Sequence, residues 1–329
     1  MADVPATAPS RARILAAYAT VYVVWGSTYL AIRYAIQTLP PFLMAAVRFL
    51  IAGLLLLGWA RLRGAPWPAR GQWRNVALVG AFLLFGGNGA VVWAEQRVPS
   101  GVTALLVATL PLWMVVLEWL GPERRRPSGR GLLGVLLGIV GIIVLVGPGA
   151  LVGSGNVDLV GAGVLVLGSL LWGIGSLVSK HADMPGSPQI SSALQMLAGG
   201  ALLLALGLAA GEAGQVALGA VSGASLAGLL YLIVFGSLLG FTAFAWLLRV
   251  EPPSRVATYA YVNPVVAVLL GWAIAGEPVT ASTLVAAAVI VGAVALIVSR
   301  RRTPAAGMTD GAPPAVQPTK ERRRRARVA

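Results

Sequence analysis

Ten long apolar segments, separated by short polar stretches, determine what this chain can fold into. An apolar segment of about 18 or more residues is long enough to cross a lipid bilayer as a helix. Charged residues make up only 11% of the 329-residue chain, against about 25% in an ordinary soluble domain, so a soluble surface cannot be built. The pattern predicts an all-α membrane protein with ten transmembrane helices at residues 14–36, 41–60, 75–95, 99–120, 131–147, 158–179, 187–210, 224–248, 254–275 and 280–299.

Several classes of site are excluded by the residues that are missing. The sequence has no Cys and a single His, His181, which excludes disulfides, a thiolate nucleophile and His-rich metal clusters. It also lacks a complete P-loop, GxSxG, HExxH or GxGxxG motif. We therefore expect neither an enzyme nor an ATP-driven pump, and no cofactor or bound metal.

The basic residues are distributed unevenly along the chain. If the N-terminus is cytoplasmic, all 25 Lys and Arg except Arg33, Arg48 and Arg97 fall in cytoplasmic segments, as the positive-inside rule requires. The formal charge of +14 therefore indicates membrane topology and not a nucleic-acid partner. We expect a multi-pass protein of a bacterial inner membrane with both termini cytoplasmic, including an N-terminal tail at 1–13 and a basic, disordered tail at 300–329 that attracts anionic lipids.

The chain contains an internal repeat. Trp25-Gly26 in span 1 is followed eight residues later by Arg33, and Trp172-Gly173 in span 6 is followed eight residues later by Lys180. Proline recurs in the middle of spans 4 and 9, as Pro111 and Pro264. The halves are 14–150 and 155–299, and because each has five spans they must have opposite orientations, an arrangement typical of secondary transporters.

The motifs of both halves resemble those of a known family, the EamA branch of the drug/metabolite transporter superfamily. The resemblance covers about residues 14–299 and rests on Trp25–Tyr29, Ala46–Phe49, Gly87–Gly89, Glu95 with Val98–Gly101, and Tyr259–Pro264. It implies two inverted five-helix EamA repeats, with both termini cytoplasmic, that move small organic metabolites without ATP. Amino acids or related compounds are the first expectation for the substrate.

Other functions stay open at this point. The transported compound could instead be a sugar, a nucleoside or purine, or a toxic cation. An intramembrane enzyme or a non-transporting membrane scaffold are the alternatives outside transport. The expected partners are the lipid bilayer and a small-molecule substrate. The GxxxG pair Gly134 and Gly138 in span 5 allows close helix packing, which fits a monomer if the contact lies within the chain.

Charged side chains inside or near the ends of the spans are the first candidates for function. A charge near the middle of a bilayer costs about 2.5–3.5 kcal/mol and should have a partner. Arg48 lies about 10 Å into span 2 at 1.5 Å per residue, where it could bind an anionic group of a substrate or form a structural ion pair. Glu95 could couple transport to protons or pair with Arg33 or Arg97, and Lys180 is the counterpart of Arg33.

Aromatic and amide side chains are the second group of candidates. Trp25 and Trp172 each lie about 16 Å into a span at 1.5 Å per residue, away from the headgroup level where Trp is usually found. Two such residues related by the repeat would flank a central cavity, although core packing is the alternative interpretation. The other candidate cavity residues lie on spans 1, 3, 4 and 9: Tyr29, Asn88, Trp113, Tyr259, Tyr261 and Asn263.

Pro111 and Pro264 predict kinks in spans 4 and 9. A proline inside a helix removes one backbone donor and frees a carbonyl on the preceding turn. In a membrane the freed group must be satisfied by protein or by a watered cavity. The two kinks could bend during transport or could be static features of the fold.

Overall fold

The computed structural model describes residues 10–121, 128–146, 157–251, 256 and 258–298, and every regular element within them is a helix. Among them are ten long helical segments, which we number α1 to α10 in chain order. They are Arg11–Ala35, Pro41–Leu62, Arg70–Ala94, Ser100–Leu120, Gly129–Val146, Leu159–His181, Pro188–Ala209, Gly223–Val250, Tyr259–Ala275 and Ala281–Val298. Two short 3₁₀ turns, Glu212–Gln215 and Leu218–Ala220, lie between α7 and α8.

The predicted all-α membrane fold is confirmed at this level. Seven helices are long and apolar enough to cross a bilayer, namely α1 to α4 and α6 to α8. In α5, α9 and α10 the described apolar stretches are shorter, at Gly129–Leu145, Val262–Ala275 and Ala281–Leu296. A crossing by all ten helices therefore stays a prediction. The predicted boundary between the halves, at 150–155, and the basic tail at 300–329 lie outside the described residues.

Local chemistry explains where several helices begin. Pro41 and Pro188 are the first residues of α2 and α7, a position where the missing backbone donor has no cost. Ser10 accepts a hydrogen bond from the backbone N–H of Arg13, so α1 starts at Arg11, three residues before the predicted span. The start of α2 is capped from a distance, because Glu212 accepts from the backbone N–H groups of Phe42 and Leu43 at 3.2 and 2.8 Å.

Three helix ends come together at one end of the bundle. The last turns of α1 and α9 and the start of α4 come together, since Arg33 at the end of α1 forms an ion pair with Glu277, just after α9. Glu277 also binds the first residues of α4. We call this the far end of the bundle and the opposite end, where α1 begins, the near end.

Two helices contain a π-helical segment in their middle. In α3 it spans Ala81–Asn88 and in α8 it spans Leu232–Leu239. Both carry a Phe-Gly pair, Phe85-Gly86 and Phe235-Gly236. Segments of π-helix are rare and are frequent at functional sites, so the same uncommon geometry occurs once in each half of the chain.

The two prolines have different consequences. Helix α4 is interrupted at Ala108–Thr109 and resumes at Leu110, so Pro111 occupies the second position of the new helical segment. Helix α9 is continuous through Pro264. Gly138 of α5 packs within the chain, because a Cβ there would lie 2.3 Å from Leu112 of α4.

Candidate functional site: an aromatic-walled cavity

A cavity of about 100 Å³ lies between helices of both halves of the chain. It is smaller than the roughly 300–1,000 Å³ that is common for small-molecule pockets, but like them it has a few polar groups in a mainly apolar wall. The wall here is formed by Trp25, Thr28, Tyr29, Ile32, Arg48, Gly87, Asn88, Val91, Val107, Leu110, Gly168, Ser169, Trp172, Phe241, Tyr259 and Asn263.

Half of the fourteen candidate residues singled out in the sequence meet in this wall. The structure brings together two tryptophans, two tyrosines, two amides and one arginine from five helices: Trp25, Tyr29, Arg48, Asn88, Trp172, Tyr259 and Asn263. Trp113, Arg33, Glu95, Lys180, Pro111 and Pro264 are not in the wall. The side chain of Tyr261 lies outside the described part of the chain.

Trp25 is held by α8 and by neighbouring aromatic rings. Its indole N–H donates to the backbone carbonyl of Gly236, in the π segment, at 3.2 Å. Gly240 leaves room for the ring, since a Cβ there would lie 2.4 Å from the indole nitrogen. Phe244 and Tyr259 pack against Trp25 with ring centroids 5.0 and 5.3 Å away. Such a ring has little freedom and forms a fixed wall.

Trp172 is held in a similar way by α3. A Cβ at Gly87, in the π segment of that helix, would lie only 2.6 Å from Trp172 Cε3. Each tryptophan therefore packs on glycine in a π-containing helix. Trp25 of α1 packs on α8, and Trp172 of α6 packs on α3. Gly87 directly follows the first Phe-Gly pair, and Gly236 belongs to the second. The two pairs therefore mark these helices in the sequence, although the sequence analysis did not use them.

Arg48 projects from α2 toward the π segment of α8. Its side chain is only 4% exposed, and Nε donates to Ser237 Oγ at 3.0 Å. The guanidinium lies over the ring of Phe49, 4.7 Å from the centroid, while Nη1 is buried and has no acceptor among the described residues. Gly236 makes this position possible, because a Cβ there would lie 3.1 Å from Nη2.

Asn263 connects α9 to α1. In the amide orientation that satisfies its neighbours, its nitrogen donates to the backbone carbonyls of Tyr22 and Tyr259 at 3.2 and 3.3 Å. Tyr22 also shares a short hydrogen bond with Thr258. This side chain therefore positions α9 against α1 beside the cavity.

The far end is held by Glu277, which the sequence search did not treat as a site residue. One carboxylate oxygen accepts from the backbone N–H and the hydroxyl of Ser100, both at 2.8 Å, and the other accepts from Gly101 N–H at 3.1 Å. Arg33 Nη1 lies 2.8 Å from the same carboxylate. Glu277 is only 5% exposed, and these contacts join α1, α4 and α9 beyond the cavity.

Among the described residues, Glu95 and Lys180 form no hydrogen bond or ion pair with Glu277. Glu95 follows α3 and is 6% exposed, and among the described residues neither of its carboxylate oxygens has a hydrogen-bond partner. Arg33 pairs with Glu277, and Arg97 lies over the ring of Trp93. Lys180 is exposed in the last turn of α6. The described residues contain no group of three or more side chains suited to a metal.

Comparison with known proteins finds two matches to one family. The sequence profile described as the EamA-like transporter family matches residues 13–147 and again 159–299. This chain belongs to the EamA-like transporter family. It is 41% identical over 279 residues to a protein of Escherichia coli K12 named uncharacterized inner membrane transporter YedA, covering 84% of this chain and 88% of that one.

More distant relatives have related names. An uncharacterized transporter of Bacillus subtilis, YvbV, is 27% identical over 88% of this chain and 92% of its own. A chloroplastic WAT1-related protein of Arabidopsis thaliana is 26% identical over 83% of this chain and 66% of its own. A crystal structure at 21% identity has the same fold, with a TM-score of 0.60 over 88% of this chain and 98% of that one. This EamA-family chain is thus a multi-pass inner-membrane transporter and not an enzyme.

Proposed function

We propose that this EamA-family chain is a secondary transporter of small organic metabolites, with amino acids and related compounds as the first substrates. It works by alternating access to the cavity between two inverted five-helix repeats. The observation that carries the proposal is the cavity wall. In it, Trp25 of the first half packs on a π-containing helix of the second half, and Trp172 of the second half packs on a π-containing helix of the first. Substrate sites between repeats are typical of such transporters.

The wall suits a small solute with both polar and flat apolar parts. Tryptophan and tyrosine rings present broad apolar faces and a polar group each. Asn88 and Asn263 lie in the same wall, and an amide supplies both donors and an acceptor. An amino acid has this combination of groups, whereas a purely apolar drug would offer Asn88 no hydrogen bond.

Movement about this site has candidate positions in the structure. The interruption of α4 at Ala108–Thr109 lies beside Val107 and Leu110, two wall residues. A break inside a helix is a place where backbone angles can change without unfolding the rest. Glu95 is the candidate for proton coupling, because it is a buried carboxylate outside the Arg33–Glu277 pair.

Counterflow in proteoliposomes tests the proposed function. Purified protein is reconstituted with a panel of labelled amino acids, sugars and nucleosides, with and without a pH gradient. We expect saturable exchange of at least one amino acid or related compound, lost in Trp25→Ala and Trp172→Ala, while Trp59→Ala, on the exposed face of α2, keeps it. If Glu95 couples protons, Glu95→Gln removes the effect of the gradient.

Two results would contradict the proposal. Exchange of no compound in the panel by correctly inserted protein would argue against this substrate range. Unchanged exchange in both tryptophan variants would remove the cavity from the mechanism. Fluorescence-detected size exclusion shows that each variant has inserted and folded, so that lost exchange is not simply lost protein.

A further inference from the structure

The guanidinium of Arg48 has fewer partners than a buried charge requires. It has five N–H donors, yet Ser237 is its one hydrogen-bond partner among the described residues. The one ion pair found within that part of the chain is Arg33 with Glu277, so Arg48 has no carboxylate beside it there. A buried charge without a counter-charge is costly, and membrane-buried arginines normally pair or contact a polar pathway.

The position of Arg48 is supported by other residues. Ser237 receives Nε, Phe49 provides a ring beneath the guanidinium, and Gly236 leaves space for Nη2. These contacts fix the direction of the side chain but supply no negative charge. Arg48 also forms part of the cavity wall, with Trp25 and Trp172. The missing acceptor can therefore come from a ligand in the cavity.

The residue that corresponds to Arg48 in the second half is neutral. Arg48 lies seven residues after Pro41, the first residue of α2, and Gln195 lies seven residues after Pro188, the first residue of α7. Gln195 is neutral and donates to Ser191 on its own helix at 2.9 Å. Its helix packs closely on α3, since a Cβ at Gly80 would lie 2.5 Å from the Gln195 carbonyl oxygen. The same helix position is thus occupied without a charge in the other half.

We propose that Arg48 is the anion-binding residue of the cavity and that it binds the carboxylate of the transported compound. The inference rests on the proposed function and narrows it to substrates that carry a carboxylate group. A guanidinium is planar and can donate two parallel hydrogen bonds to the two oxygens of a carboxylate. The tryptophans then contact the remainder of the molecule, and a cationic drug is repelled.

The test measures binding separately from flux. Wild-type protein in lipid nanodiscs is titrated with two matched pairs of probes, phenylacetate with phenylacetamide and indole-3-acetate with indole-3-acetamide, by isothermal calorimetry. Each pair differs in charge and scarcely in shape. We expect the carboxylate to bind about tenfold to a hundredfold more tightly, the effect of a charge-assisted hydrogen bond. Arg48→Gln should remove this preference, and Arg48→Lys should keep part of it.

A matched control removes an arginine elsewhere. Arg97 lies over Trp93 and is not part of the cavity wall, so Arg97→Gln should bind both probes as wild type does. If Arg48→Gln does not fold, Ser237→Ala and Gly236→Ala replace it, because the first removes the Nε partner and the second displaces the guanidinium. Either variant should reduce the preference for the carboxylate.

The outcomes separate the two proposals. Equal or absent binding of both members of each pair by wild type, or a carboxylate preference that persists in Arg48→Gln, would overturn the role of Arg48. Counterflow of a neutral or cationic compound that Arg48→Gln still exchanges would also overturn it and leave secondary transport intact. Carboxylate binding that depends on Arg48, without flux of any compound, would instead contradict the transport mechanism.

Discussion

At the scale of single residues, glycines decide where the cavity wall stands. Gly87 and Gly240 have no side chain at positions where a Cβ would meet Trp172 and Trp25 at 2.6 and 2.4 Å. The tryptophan rings can reach the cavity because these two positions are empty. The wall therefore depends on residues that contribute almost no surface of their own.

This dependence can be tested at Gly87. Gly87→Ala should displace the Trp172 ring and cost about 1–3 kcal/mol, as overpacking in a filled core does, and exchange in proteoliposomes should fall at least tenfold. Gly163→Ala is the matched control on α6, because its Cβ would meet no atom within 4 Å. Equal exchange by the two variants would contradict the role of Gly87.

At the scale of helices, side chains from distant parts of the sequence cap helix starts. Glu277 accepts from the first two backbone N–H groups of α4, and Glu212 does the same for α2. The N-terminus of a helix has unsatisfied N–H groups and a partial positive charge, so a carboxylate stabilises it. These two residues join α4 to the end of α9, and α2 to the turn after α7.

Removing the charge of Glu277 should therefore weaken the far end. Glu277→Gln breaks the partly buried pair with Arg33, and the loss of a hydrogen bond to a charged group costs about 1.5–3 kcal/mol. We expect a lower thermal unfolding midpoint in detergent, measured by tryptophan fluorescence. Glu118→Gln, near the end of α4, removes a carboxylate outside this network and should leave the midpoint within a degree or two. A midpoint unchanged in Glu277→Gln would show that the pair is not stabilising.

At the scale of the whole molecule, the distribution of charge and the repeat predict how the chain lies in the membrane. Most of the basic residues fall in the two tails and in every second polar segment between the spans. The two matches to the EamA-like family cover 13–147 and 159–299, and the Trp-Gly repeat predicts halves at 14–150 and 155–299. An odd number of spans in each half would invert one half relative to the other.

The orientation can be tested with reporters. Alkaline phosphatase, active only outside the cytoplasm, and green fluorescent protein, fluorescent in it, are fused in turn after Ala329 and after Gln96. The positive-inside rule predicts fluorescence after Ala329 and phosphatase activity after Gln96. The opposite pattern at Ala329 would reverse the topology, while leaving the helix packing described here unchanged.

The sequence alone determined the type of fold and seven of the sixteen residues of the candidate wall. Apolar length predicts helices in lipid because the backbone must satisfy its own hydrogen bonds there, and the helix bounds follow that pattern closely. Trp25, Trp172 and Arg48 could be singled out because a tryptophan or a charge deep in a span is unusual. These inferences need only local composition and depth along one helix.

Only the tertiary structure decided which groups meet. The pairing of Arg33 with Glu277, and not with Glu95, joins residues more than 240 positions apart in the chain, and no local pattern specifies it. The same holds for Arg48 with Ser237, and for the absence of Trp113 from the wall. Which side chains meet across two helices depends on the rotation and depth of each helix. The packing of the whole bundle sets both, whereas the apolar length of a span specifies neither.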